Sequence, residues 1–287
     1  MEAVRIGLIQ MRCAEEPERN LDQALAMTEQ AAAQGAQVVC LQELFRTPYL
    51  CQREDVELFD LAEPVPGPTT RAMGKLAAAR KLVIIAPVFE RRAAGVYHNA
   101  AVVIEANGEI AGCYRKMHIP DDPGYYEKFY FAPGDLGFLS HRTSRGELGV
   151  LICWDQWFPE AARLTAMAGA QILFYPTAIG WSRGEKPSAR DKQREAWETI
   201  QRSHAIANGV YVAAVNRVGV EGEIEFWGNS FVAGPQGEVL ASAGCAGEQV
   251  LLAECRLDQV ERVRRLWPFL RDRRIDAYGG LLARWRR

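Results

Sequence analysis

Short apolar runs and amphipathic stretches alternate through most of this chain. Runs of β-branched and aliphatic residues bounded by Gly, Pro or polar clusters read as strands, and apolar residues recurring every three to four positions read as helices. On that basis Val4 to Met11 is a strand, Asn20 to Gln34 a helix with Asn20 as N-cap and Gly35 at its end, and Gln37 to Gln42 a second strand. Thr69 to Arg80 is a helix and Leu82 to Glu90 a strand. Tyr97 to Ala106 and Glu109 to Lys116 form a hairpin about Asn107-Gly108, a dipeptide suited to a tight turn with positive φ. Glu147 to Cys153 is a strand, Phe158 to Ala168 a helix, Gln171 to Tyr175 a strand, and Asp191 to Asn208 a long helix closed by Gly209. Tyr211 to Arg217, Ser230 to Gly234, Glu238 to Ser242 and Gln249 to Arg256 complete the strands, and Leu257 to Leu266 is a last helix.

Such a mixture of βαβ units and hairpins predicts an α/β fold with mixed sheets. No linker, low-complexity segment or simple repeat divides the chain, so one domain over 1–287 is expected. Its irregular Arg- and Trp-rich tail, about 267–287, is expected to take part in subunit contacts.

Composition narrows the function classes. Of 287 residues, 48% are apolar and 24% charged, as in ordinary globular proteins. A net charge of −2 gives no electrostatic reason to expect nucleic-acid or membrane-surface binding. Basic residues do gather late in the chain, from Arg262, Arg264 and Arg265 through Arg271, Arg273 and Arg274 to Arg284, Arg286 and Arg287, but Glu261, Asp272 and Asp276 interrupt them. That run reads as a solvated or subunit-contact surface. The first residues lack the basic start and apolar stretch of a signal peptide, and no apolar run approaches the roughly 20 residues that span a bilayer. Seven cysteines, an odd number with no CxxC pair, point to a reducing cytoplasm rather than a disulfide framework. Four histidines without HExxH give no expectation of a zinc site, and nothing suggests a cofactor.

Three strand patterns lead into residues with chemical capacity. Val38-Val-Cys-Leu-Gln-Glu43 ends in a carboxylate, and Gly112-Cys-Tyr-Arg-Lys116-Met-His118 reaches a lysine. Gly149-Val-Leu-Ile-Cys153-Trp-Asp-Gln-Trp-Phe-Pro159-Glu160 reaches a cysteine just before a helix. A side chain at such a turn projects at the end of the sheet, where open α/β sheets bind ligands. The helix N-terminus nearby is expected to favour a thiolate, the reactive form of sulfur. Cys153 also reads as a buried core thiol, and Glu43 and Lys116, taken singly, as solvated charges at strand ends. Together they suggest one polar cluster.

With Leu41-Gln-Glu43, Tyr114-Arg-Lys116-Met-His118 and Ile152-Cys153-Trp-Asp155 in that order and separation, the chain resembles the nitrilase or carbon–nitrogen hydrolase superfamily. The likeness runs from Val4-Arg-Ile-Gly-Leu-Ile-Gln10 to Arg273-Arg-Ile-Asp276-Ala-Tyr278-Gly279. It implies a four-layer α-β-β-α sandwich whose subunits pair through their helix layers. It also implies that Cys153 attacks the carbonyl carbon and that Glu43 moves the protons. Lys116 stabilises the oxyanion, with the backbone N–H of Trp154 as a second donor. The resemblance gives Glu127, in the aromatic segment Tyr125-Tyr126-Glu127, the task of holding the lysine. The alternative is a surface Glu paired with Lys128. His118 is expected to orient a loop rather than to take a chemical step.

Substrate class follows from what comes after the cysteine. Superfamily members acting on N-carbamoyl-D-amino acids carry arginines there to hold a carboxylate; here Gln156 and Trp157 stand in those positions. The segments Cys153 to Glu160 and Ile119 to Phe131 look most like those of the N-carbamoylputrescine amidases within the superfamily, which act on a ureido group carried by a cationic diamine. Tyr125, Tyr126, Trp154 and Trp157 are candidates to pack on its aliphatic stem and ammonium. Asp121, Asp122, Asp155 and Glu185 are candidates to pair with the amine. A β-ureidopropionase, an aliphatic omega-amidase and a non-catalytic binding protein on the same fold are the alternatives.

Overall fold

The computed structural model describes residues 3–286. Met1, Glu2 and Arg287, which the expected 1–287 span includes, lie outside the described residues, and so does the last arginine of the basic run. In chain order the elements are β1 (Val4–Gln10), α1 (Pro17–Ala33), β2 (Val38–Leu41), α2 (Pro68–Arg80), β3 (Val83–Ala93), β4 (Val96–Ile104), β5 (Ile110–Arg115) and α3 (Glu127–Tyr130). There follow β6 (Ser140–Thr143), β7 (Gly146–Val150), α4 (Pro159–Met167), β8 (Ile172–Thr177), β9 (Gly180–Ser182), α5 (Pro187–Asn208) and β10 (Tyr211–Asn216). The last are β11 (Val218–Glu221), β12 (Ile224–Trp227), β13 (Phe231–Ala233), β14 (Val239–Ser242), β15 (Gln249–Cys255) and α6 (Asp258–Leu266).

Two six-stranded mixed sheets dominate, in the orders β15-β1-β2-β3-β4-β5 and β14-β13-β10-β8-β7-β6. Parallel pairing of β1, β2 and β3 in one, and of β7, β8 and β10 in the other, leaves room for covering helices between consecutive strands. The strands read as unbroken apolar runs because both of their faces are buried. Successive side chains of a strand point to opposite faces. Thus Ile6, Leu8, Val38, Cys40, Val83 and Ile85 enter a core shared with Leu148, Val150, Ile172 and Val212 of the other sheet. Their neighbours Ile9, Val39, Leu41, Ile84 and Ala86 pack outward on Ala24 and Ala31 of α1 and Met73 and Ala77 of α2. Each fully buried Val, Leu or Ile among them stabilises the fold by roughly 1.5–3 kcal/mol. Helices α4 and α5 cover the second sheet, which completes α-β-β-α layering as expected. Close approach of α4 requires Gly149 in β7, where a Cβ would lie 2.5 Å from the Thr165 methyl.

Two expectations need correction, and one element is new. Asn20 does not cap α1, which starts at Pro17. Its buried side chain instead bonds both the N–H and C=O of Ala14 and the C=O of Arg46, inside the first turns of the helix. The strand expected to reach Cys153 stops at Val150, and a single 3-10 turn covers Cys153–Trp157. A small third sheet, β11-β12-β9, was not expected; its strands are short and mix polar with apolar residues.

Candidate active site

Three of the four candidate catalytic side chains meet in one buried cluster. Glu43 lies two residues beyond β2, Lys116 one residue beyond β5, and Glu127 opens α3; all three are fully shielded from solvent. The Lys116 ammonium donates to Glu43 Oε1 at 2.8 Å and to both oxygens of Glu127 at 2.8 and 2.7 Å. Asn99 of β4 donates from Nδ2 to the same Glu43 oxygen at 2.7 Å, and the Tyr49 hydroxyl donates to Glu127 at 2.8 Å. Glu43 Oε2 is buried with no partner among the described residues. Burial alone would push the lysine toward neutrality, but the carboxylates of Glu127 and Glu43 outweigh it and hold the ammonium well above its usual range. Burial pushes the Glu127 carboxyl up to about 7, with Lys116 opposing and Glu43 reinforcing the rise. Glu127 therefore faces Lys116 inside the protein, and the alternative of a surface pair with Lys128 does not hold.

Cys153 lies close enough to this cluster for Glu43, Lys116 and Glu127 all to act on its charge. Its backbone has φ of +43°, a left-handed conformation that costs a residue with a Cβ and that concentrates at functional sites. The residue is 5% exposed, and its sulfur lies 3.9 Å from the carbonyl oxygen of Ala178. Burial, then the Glu43 carboxylate, pushes the thiol well above its usual range, although Lys116 pulls the other way. The expected thiolate at a helix N-terminus is thus corrected: α4 begins only at Pro159, and burial together with Glu43 disfavours the charged form of the sulfur.

Above the sulfur opens a cavity of about 370 Å³, lined in part by Asp122, Tyr125, Trp154, Trp157 and Glu185. Among the described residues, no lysine or arginine lines it; its charged groups are the carboxylates of Asp122 and Glu185. Tyr125 is fixed there by its hydroxyl, which accepts from the N–H of Gly180 at 3.1 Å.

Several substrate-binding expectations fail on geometry. Asp155 is fully buried, outside the cavity wall, and its carboxylate is committed to four donors: Tyr114 Oη at 2.7 Å, the Ile152 N–H at 2.9 Å, and the backbone N–H and ring Nδ1 of His118 at 3.0 and 2.7 Å. Tyr126 caps α3, its N–H bonded to Cys51, and neither it nor Asp121 lines the cavity. Gln156 turns inward, accepting from Trp197 Nε1 at 2.7 Å. His118 is bonded to Asp155 and stacked on Phe158 with ring centroids 3.7 Å apart.

Other supporting residues went unread. Asn99 and Tyr49 complete the cluster, and Asn216 bonds both backbone groups of Ile179 at 3.0 Å, fixing the segment beside Ala178. Arg217 is fully buried. An Arg at the end of an apolar strand run was the available signal, since arginine is almost never buried without dedicated partners.

Comparison with known proteins agrees with this picture. The chain is 44% identical to an N-carbamoylputrescine amidase from Oryza sativa subsp. japonica, over 97% of this chain and 94% of that protein. It is 34% identical to a citrullinase from Francisella tularensis subsp. tularensis, over 99% of this chain and all of that protein. The crystal structure of a carbon–nitrogen hydrolase from Helicobacter pylori G27 superposes with a TM-score of 0.96 at 49% identity, over 99% of this chain and 100% of that one. Residues 5–265 match the carbon–nitrogen hydrolase family, and the chain belongs to that family.

Proposed function

We propose that this chain hydrolyses N-carbamoylputrescine to putrescine, carbon dioxide and ammonia through a covalent cysteine intermediate. The observation that carries the reading is the pairing of a buried Glu43–Lys116–Glu127 cluster with a cavity over Cys153 whose charged lining is entirely acidic. Glu43, with one oxygen uncommitted, takes the Cys153 proton as the sulfur attacks the ureido carbon. Lys116 stabilises the oxyanion, helped by the N–H of Trp154, one of the first donors of a turn whose own bonds leave them unpaired. The first nitrogen leaves with the proton that Glu43 carries. Water activated by Glu43 then releases the acyl group, and the resulting carbamate loses carbon dioxide. Glu127 holds Lys116 in place.

In this reading the distal ammonium pairs with Asp122 and Glu185, and Tyr125, Trp154 and Trp157 pack along the tetramethylene stem; all five line the cavity. Citrulline differs from this substrate by one carboxylate beside the amine, and no lining cation offsets that charge. The seven unpaired thiols suit a cytoplasmic setting. The exposed Trp267, Ile275, Leu282 and Trp285 of the C-terminal tail suit burial against a second copy in a homo-oligomer. Ammonia release from N-carbamoylputrescine by the wild type and Cys153→Ser tests the assignment: turnover by the first and near-complete loss in the second support it, and full activity in the serine variant refutes it.

A further inference from the structure

Arg217 is the first residue after β10, and its guanidinium is fully buried. A cation taken wholly out of water needs fixed acceptors for its donors. Here Nη2 donates to the carbonyl oxygens of Glu43 at 3.0 Å and Leu44 at 2.8 Å. Nη1 donates to the carbonyl of Thr47 at 3.0 Å and to both oxygens of Glu221 at 2.9 Å. The guanidinium also lies over the Phe226 ring, 5.4 Å from its centroid. One side chain at the end of a strand of the second sheet thus straps the loop that follows β2 in the first.

That loop has a reason to need a strap. Leu44 has φ of +47°, a conformation that residues with a Cβ adopt only where their surroundings impose it. Glu43 immediately precedes it. Lys116 and Asn99 hold only the Oε1 tip of Glu43, whereas the Arg217 bonds fix its main chain on both sides of the strained residue. A carboxylate that must reach a thiol proton tolerates little displacement, since a shift of about 1 Å can cost on the order of a hundredfold in rate.

We propose that Arg217 is a positioning residue for the Glu43 base, holding the strained Glu43–Leu44 turn in register with Cys153. This rests on the reading of Glu43 as base. The planar fork is essential, because four acceptors spread over three backbone sites and one carboxylate cannot be spanned by the single ammonium of a lysine.

The test compares wild type, Arg217→Lys, Glu43→Gln and the double variant, each checked for folding by circular dichroism. Competent sites are counted by stoichiometric alkylation of Cys153, and ammonia release is measured per competent site. Arg217→Lys is expected to lower kcat at least roughly tenfold with KM within about twofold, because the strap acts on the base rather than on substrate binding. In the Glu43→Gln background the same change is expected to cost no more than about twofold, since there is no base left to position. Wild-type kcat in Arg217→Lys, or a full multiplicative loss in the double variant, overturns the proposal. If Arg217→Lys does not fold, Glu221→Gln loosens the clamp from its far side; a lower kcat at constant KM supports the proposal, and an unchanged kcat overturns it. Wild-type turnover by Glu43→Gln overturns the base reading and this proposal together, whereas failure of the Arg217 variants alone leaves the base reading standing.

Discussion

The carboxylate of Asp155 accepts two hydrogen bonds from His118, one from the backbone N–H at 3.0 Å and one from ring Nδ1 at 2.7 Å. Its other oxygen takes the Tyr114 hydroxyl and the Ile152 N–H. Tyr114 and His118 lie two residues to either side of Lys116, and Asp155 lies two residues beyond Cys153. One buried carboxylate therefore fixes the lysine's strand end against the cysteine's turn. Asp155→Asn presents an amide to donors that need acceptors, which leaves a buried polar group unsatisfied and costs about 1–3 kcal/mol. The expected outcome is a lower unfolding midpoint together with reduced kcat; an unchanged midpoint and kcat would show that this tie is dispensable.

The upward push on the Cys153 thiol has a kinetic consequence. Because burial and Glu43 raise the Cys153 thiol, its alkylation by iodoacetamide near pH 7 depends on proton removal by a neighbouring base. Glu43→Gln removes the base and also a charge that helps to raise the thiol; with loss of the base dominant, labelling at pH 7 is expected to slow. Equal labelling rates at pH 7 in the two proteins would mean that the sulfur is already ionised.

Glu127 makes a pH-dependent contribution to stability whose sign can be worked out. Its folded carboxyl is raised to about 7 from an ordinary 4.5, so the folded state binds the proton more tightly than the unfolded state. That contribution is fully present below pH 4.5 and is lost as pH rises through about 7. The stability advantage of wild type over Glu127→Gln is therefore expected to shrink between pH 5 and pH 8, read from unfolding midpoints at both. An advantage that grows with pH would mean that the pairing with Lys116 outweighs burial and that the carboxyl is depressed instead.

How much of this was legible in the sequence depends on the range of the interaction. Glu43, Lys116 and Cys153 each follow an apolar run closely enough that their place near a sheet end could be read locally. Asp155 was misread as a substrate contact because its four donors come from residues up to 41 positions away, which no local pattern encodes. The same holds for Arg217, whose backbone acceptors lie 170 to 174 residues earlier in the chain. Asn20 has the composition of an N-cap, yet a tertiary bond to Arg46 places it inside the helix. The layer order was readable from double-sided apolar strands, but β9, β11 and β12 are too short and mixed to stand out from loops.

Charge in the cavity gives a direct expectation for its two acidic residues. Asp122→Asn and Glu185→Gln each remove one of the lining carboxylates. Each is expected to lower kcat/KM for N-carbamoylputrescine several-fold, the double change more, while leaving Cys153 alkylation by a neutral reagent unaffected. No loss in either variant would place the amine elsewhere.

The most direct test of the central claim is kcat/KM for N-carbamoylputrescine, citrulline and N-carbamoyl-β-alanine, measured by ammonia release in one buffer. A cavity with two lining carboxylates and no lining cation disfavours any substrate that brings its own carboxylate into partly dry surroundings. The account predicts that N-carbamoylputrescine is preferred over both carboxylate-bearing ureides by at least roughly a hundredfold, about 2.7 kcal/mol of discrimination. Equal efficiency on the three, or a preference for either carboxylate-bearing substrate, would contradict it.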